Sequence, residues 1–285
     1  MSAVDPPSVA SPGGSRPTDT IDARTPSIAR VYDAVLGGKD NYDVDRSVRG
    51  QIMAVVPDIG RLAWDNREFV LRVTRFLAAE KGVAQFLDCG TGLPTKENTH
   101  EAAQRINPDA RVVYVDNDPV VLAHGRALLA QNDHTHIIMA DVTGPDALFA
   151  DPLLSQYLDL DRPLAVYHIG TLHHLGEDER PQELMRAYIN ALPSGSYLAL
   201  SHFYRPCDQD PELGELAERL ERAFLHSALG SGRFRSRAEI AAYLDGLDLL
   251  DPGLVPPAEW RPEKPRQEPL EPVRRLMLGA VARKP

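Results

Sequence analysis

Five short apolar runs, separated by segments of helical length, constrain this chain more than any other feature. The runs are Ala84–Asp88, Arg111–Val115, His136–Met139, Leu164–Ile169 and Ser196–Ser201. Helical patterns fill about 99–106, 119–131, 180–192 and 211–229. A strand that is apolar at successive positions needs cover on both faces. Alternation with helices supplies that cover as a parallel sheet in an α/β fold, with helices on either side. With 285 residues, 43% of them hydrophobic, the chain can bury such a sheet within one domain. Ser236 and Glu239 form a capping box that opens a further short helix. After a Pro-rich stretch, 252–272, the run Arg274–Val281 suits a last strand. The polar stretch 141–163 reads as a long loop.

The N-terminal part follows other rules. Residues 1–24 are rich in Pro, Ser, Gly and Asp and read as a disordered tail. Thr25-Pro26 is the expected helix start, with Ile28, Val31, Val35 and Leu36 at helical spacing and Gly37-Gly38 as the stop. Val44, Val48 and Ile52 mark a second helix that Pro57 ends, and the apolar positions from Ile59 to Leu77 mark a longer third. The expected organisation is therefore a tail, a helical cap over 25–80, and a sheet domain over 81–285.

Charge narrows the partners. The net charge is −10, opposite in sign to what a polyanion binder needs, so nucleic acid is not expected. No apolar run approaches the length of a membrane span. No basic stretch leads into an apolar one near residue 1, and the expectation is a cytoplasmic protein without a membrane partner. The two cysteines, Cys89 and Cys207, are too few for a disulfide scaffold or a Cys-rich zinc site.

The sharpest motif is Phe86-Leu87-Asp88-Cys89-Gly90-Thr91-Gly92, where a buried strand runs into two glycines. Such a turn lets a ligand approach the backbone, although a plain tight turn uses the same glycines. Two more strands also end in acids. Asp116 stands in Asp116-Asn117-Asp118-Pro119, and Asp141 precedes Val142. Asp118 directly precedes Pro119 and suits a helix N-cap, whereas Asp116 is one step too early for that and is placed to accept from ribose hydroxyls. Asp141 is placed to accept from an adenine amino group, or is a solvated loop acid. A nicotinamide dinucleotide fits less well. Thr95 stands at the third fingerprint glycine, Pro94 removes an amide, and Asp116 lies 26 residues beyond Gly90. Asp88 would repel a pyrophosphate and suits a cation. S-adenosylmethionine carries a sulfonium and an ammonium and no phosphate.

These residues resemble class I S-adenosylmethionine-dependent methyltransferases. More narrowly, the chain is similar to a bacterial, mostly actinobacterial, S-adenosyl methyltransferase family. The family-specific stretches are Gly37-Gly38-Lys39-Asp40-Asn41-Tyr42 and Gly92-Leu93-Pro94-Thr95, while Leu172-His173-His174-Leu175 is common across the class. The resemblance covers about 25–283. It implies a Rossmann-like, seven-stranded, mostly parallel sheet whose last strand is antiparallel, with S-adenosylmethionine as cofactor. It assigns Asp88, Gly90 and Gly92 to the methionine part, Asp116 with Asn117 to the ribose, and Asp141 with Val142 to the adenine. The expected activity is methyl transfer to a small-molecule acceptor, with a cofactor sensor that lacks turnover as the alternative and a nicotinamide oxidoreductase behind it.

For the chemistry, His168 at the end of the fourth strand is expected beside the cofactor. His173 and His174 are candidate proton acceptors, though a cap or a core role is the commoner use of a histidine. No metal site is expected, because adjacent histidines point apart. His202 with Phe203 ends the fifth strand as a candidate acceptor wall; Tyr204 and Trp260 are further candidates, although core or surface packing is the commoner use of an aromatic. Lys39, Asn41 and Tyr42 are expected to form a lid braced by Asn66 and Arg67, although an ordinary helix-to-helix turn also fits the loop and a surface ion pair explains Arg67 equally well.

Overall fold

The computed structural model describes residues 21–129, 132–206, 210–264 and 267–285. Residues 1–20 of the expected tail, and Cys207, lie outside the described residues. The chain opens with α1 (Ile28–Leu36), α2 (Asp43–Val55) and α3 (Ile59–Glu80). It continues through β1 (Gln85–Cys89), α4 (Thr99–Gln104), β2 (Arg111–Asp116), α5 (Pro119–Leu129) and β3 (Thr135–Met139). Two short helices, α6 (Pro145–Phe149) and α7 (Pro152–Tyr157), precede β4 (Ala165–Ile169), α8 (Pro181–Ala191) and β5 (Tyr197–Phe203). The C-terminal part holds α9 (Pro211–His226), α10 (Arg237–Ala242), β6 (Asp248–Leu249) and β7 (Met277–Arg283).

The seven strands lie in the order β3-β2-β1-β4-β5-β7-β6. β1 to β5 pair in parallel, and β7 enters antiparallel between β5 and β6. Chain order reverses between β1 and β4, which opens a crevice at their carboxyl ends, the place where such sheets bind ligands.

Alternation explains the apolar runs. Leu87, Val113, Val166 and Leu198 face one layer with Leu154, Met185 and Tyr188. Phe86, Val112, Tyr167 and Ala199 face the other, with Phe69, Val73 and Leu77 of α3. Trp260 is fully buried there, edge-on to Phe69 and Phe76 at 5.5 and 5.6 Å. It belongs to this core and not to an acceptor wall. Helix α3 thus covers the sheet directly, while α1 and α2 pack with α9 in a third cluster built on Val31, Ile52, Leu62 and Phe224.

Local details differ from the sequence expectations in four places. The first helix is capped by Ser27, whose hydroxyl accepts from the Arg30 amide, and not by Thr25. The stretch 141–163 is not a loop. Pro145 and Pro152 each open a helix, Asp151 caps the second, and Leu148 and Leu154 enter the core. β6 has two exposed residues and no pattern to betray it. The last strand runs to Arg283, two residues beyond the expected end.

Candidate cofactor and acceptor site

The site is built around the turn after β1. Gly90 has φ +72° and donates its amide to Val115 O at 2.7 Å. A Cβ on Gly90 would lie 2.1 Å from Thr171 Cγ2, so the fold itself demands glycine there. Gly92 differs. Its φ is +68°, and a Cβ would meet no atom within 4 Å, because it would project into open space. Its amide donates to Asp116 Oδ2 at 2.9 Å, and the Asp118 amide donates to Asp116 Oδ1 at 2.9 Å. Asp116 is 7% exposed. Burial raises its carboxyl to about 6, against the pull of those two amides. Asp118 caps α5 through Val120 N at 2.8 Å, the division of labour expected for the two acids.

Two cavities meet at this turn. A cleft of about 480 Å³ is lined by Gly92, Asp116, Asn117, Asp141, Val142 and Thr171, among others. A smaller, partly open cavity of about 100 Å³ lies beside it, walled by Val35, Ile59, Leu62, Phe203, Phe224 and neighbours. Ile28, Ala29, Gly90, Gly92, Gly170, His174 and Leu229 border both. The N-terminal end of α1 is therefore part of the site. Arg30 fixes it, being buried, ion-paired to Asp45 at 3.4 Å and bonded to Thr25 O.

The expected ligand residues fall in different places. Asp116, Asn117, Asp141 and Val142 come together in the cleft with both glycines. Asp141 accepts from Thr143 N and Oγ1, and Val142 O accepts from Tyr188 OH at 2.8 Å. Asp88 lines neither cavity. It is buried behind the turn, accepts from Thr99 Oγ1 at 2.7 Å, and burial raises its carboxyl above the usual range. It braces the start of α4, whose N-cap Asn98 exchanges bonds with Glu101.

His174 borders both cavities and places Nδ1 2.8 Å from Ser231 Oγ, and burial lowers its pKa to about 4. His173 lines the apolar cavity, stacked on Phe203 at 3.8 Å, with Nδ1 buried and without a partner among the described residues. His168 was expected beside the cofactor and is not there. It shares the strand parity of Val166, so its side chain enters the opposite core against Tyr188 at 4.3 Å. Burial lowers its pKa to about 3. His202 is likewise no acceptor wall. It is fully buried, Nδ1 donates to Phe203 O at 2.7 Å, and Nε2 accepts from Arg235 at 3.0 Å. A carbonyl only accepts and a guanidinium only donates, so those two bonds fix the neutral ring and occupy both nitrogens.

The expected lid is a connector. Lys39, Asn41 and Tyr42 line neither cavity. Asp33 holds this turn by accepting from Asp40 N at 3.0 Å and Asn41 Nδ2 at 2.7 Å. A Cβ on Gly38 would sit 1.9 Å from Asp33 Oδ1, which explains the second glycine. Tyr42 N-caps α2 and stacks under Arg30 at 4.8 Å. Arg67 and Asn66 serve the cavity instead, and Ser201 Oγ donates to Asn66 Oδ1 at 2.6 Å. Phe224, Leu229 and Ser231 are site residues that no local signal marks, because they arrive from far along the chain.

A sheet with this strand order and a nucleoside-sized cleft at the glycine turn is that of a class I methyltransferase. The model of the S-adenosyl methyltransferase family matches residues 14–285. The chain belongs to this family, and S-adenosylmethionine is its cofactor. It is 42% identical to a candidate methyltransferase from Thermobifida fusca YX, covering 91% of this chain and 95% of that one, with a TM-score of 0.85. It is 36% identical to a duf574 family protein from Streptomyces avermitilis, covering 93% and 99%, with a TM-score of 0.85. No curated protein matches the chain. Among the described residues, no helix is long and apolar enough to cross a membrane.

Proposed function

We propose that this methyltransferase acts on a small, largely apolar acceptor held in the 100 Å³ cavity, with the cofactor in the adjoining cleft. The observation that carries this reading is the meeting of the two spaces at Gly90, Gly92, Gly170 and His174. Residues in the cleft fit the cofactor. Asp116 keeps acceptor capacity for ribose hydroxyls, Asp141 with Val142 suits the adenine edge, and Gly92 leaves room for close approach. S-adenosylmethionine supplies a methyl group on a positively charged sulfur, open to displacement by an acceptor lone pair.

The chain's own work is alignment and water exclusion. The apolar wall from α1, α3 and α9 does both, and the helices over 25–80 form a fixed side of the cavity. His174 is neutral near pH 7, given its lowered pKa. With Nδ1–H donating to Ser231, its Nε2 is free to receive the acceptor's proton. A weak base suffices, because an oxygen or nitrogen gains positive charge on methylation and its proton becomes acidic.

The test is incubation with methyl-labelled S-adenosylmethionine and a whole-cell extract, separated afterwards into small molecules, protein and nucleic acid. Label in an apolar small molecule, with equivalent S-adenosylhomocysteine, supports the reading. Label in protein or nucleic acid overturns it. Cofactor binding with no label transferred would favour a sensor.

A further inference from the structure

Three arginines are buried among the described residues: Arg30, Arg67 and Arg235. Arg30 pairs with Asp45 at 3.4 Å, and Arg235 with Glu177 at 2.7 Å. Arg67 is 9% exposed and has no carboxylate within 4.0 Å among the described residues. Its bonds go to neutral acceptors only. Nε donates to Thr95 Oγ1 at 2.8 Å, and Nη2 donates to Glu97 O at 3.1 Å and Asn98 Oδ1 at 3.3 Å. These bonds hold one edge of the guanidinium against the loop after the glycine turn. Nη1 has no protein acceptor among the described residues, and the side chain lines the apolar cavity beside Gly90, Thr91 and Gly92. Asp88 acts on it only from beyond ion-pair contact, and a buried cation with no carboxylate in contact is costly, so a ligand anion is the ordinary remedy.

We infer that Arg67 is a cofactor-binding residue that receives the carboxylate of the methionine part of S-adenosylmethionine. The inference rests on the cofactor assignment and deepens it. The nucleoside end has its acid in Asp116, and the glycine turn lies between Asp116 and Arg67. An α-amino acid tail leaving the nucleoside along that turn therefore meets the open edge of the guanidinium. Arg67 is the one cationic side chain in a lining that is otherwise mostly apolar, with Asn66, Tyr32, Thr91, His173 and His174 as its polar members, which suits the acceptor and not a second anion. The loop bonds also pre-orient the arginine, so less ordering remains on binding.

The experiment compares S-adenosylmethionine with decarboxylated S-adenosylmethionine, which keeps the ammonium and lacks only the carboxylate. Affinities are measured by calorimetry on the full chain. Wild type should bind the decarboxylated ligand about ten- to one-hundredfold more weakly, the scale of one charge-assisted pair. Arg67→Gln should lose about the same factor for S-adenosylmethionine and change by less than threefold for the decarboxylated ligand. Arg67→Lys should recover part of the loss, since it restores charge without the fork. Equal wild-type affinity for both ligands overturns the inference without touching the cofactor assignment. Equal loss of both ligands in Arg67→Gln overturns it in favour of a loop-bracing role. Wild type binding neither ligand overturns the cofactor assignment itself, and the inference with it.

Discussion

As the proposed acceptor for the ribose hydroxyls, Asp116 should make cofactor binding depend on pH, with a magnitude set by its burial. Its carboxyl is buried, and burial raises it to about 6 despite two backbone amides. Under the proposed assignment ribose hydroxyls donate to the ionised form, so proton and cofactor would compete for the same oxygens. Above about pH 7 the group is ionised and affinity is level. Below about 6, each pH unit should raise Kd about tenfold, or ~1.4 kcal/mol. Stability of the ligand-free protein moves the other way. The folded pKa lies above the ordinary 3.8, so the folded state holds more protons between 3.8 and about 6, and this group's contribution to stability falls as pH rises through that window. The assay is calorimetry with S-adenosylhomocysteine from pH 5 to 7.5, below the range where a free α-amino group titrates. Asp116→Asn is the control. It should bind about ten- to one-hundredfold more weakly at pH 7.5, with a flat profile. Asp88, also raised by burial, stays in both proteins and so cancels. A flat wild-type profile, or an unchanged slope in Asp116→Asn, refutes the reasoning.

Four further outcomes are expected. Gly92→Val should lose cofactor binding with an intact circular dichroism spectrum, since the new side chain enters open space, at a local cost of about 1–2 kcal/mol for its positive φ. Gly90→Val should instead lower Tm sharply through its clash with Thr171; an unchanged Tm would contradict the geometry. Lys39→Ala should bind and turn over like wild type, and amides 37–43 should exchange at one rate with or without cofactor; slowed exchange on binding would restore a lid. On acidification the contribution of His168 to stability should fall below about pH 6.5, opposite in sign to that of Asp116, because His168 is about 3 in the fold and takes up its proton only on unfolding. A Tm series from pH 7 to 5 should show a shallower slope for His168→Met, by up to ~1.4 kcal/mol per pH unit, and an identical slope would exclude a buried neutral ring.

What the sequence determined by itself was set by interactions a few residues long. Apolar runs on both strand parities require a doubly covered parallel sheet, whatever follows them. The boxes Asn98–Glu101 and Ser236–Glu239 close within one helical turn, and Gly37 stops α1 by its own backbone freedom. Asp118 caps α5, and Asp116, two residues earlier, is left to line the cleft. Some local signals were present and outweighed. Pro145 and Asp151-Pro152 are helix starts, and strand parity sends His168 to the far face with Val166. Only the tertiary structure decided what the site touches. The apolar cavity takes walls from Val35, Leu62, Phe224 and Leu229, and Arg67 of α3 reaches the 95–98 loop. Such contacts depend on how helices pack over the sheet, and packing joins side chains whose separation along the chain carries no pattern of its own. For the same reason, the glycine-rich 37–42 turn resembles a cover by composition and is a connector by contact. Its polar groups are satisfied by Asp33, and the chain passes over the site one helix earlier, at Ile28 and Ala29.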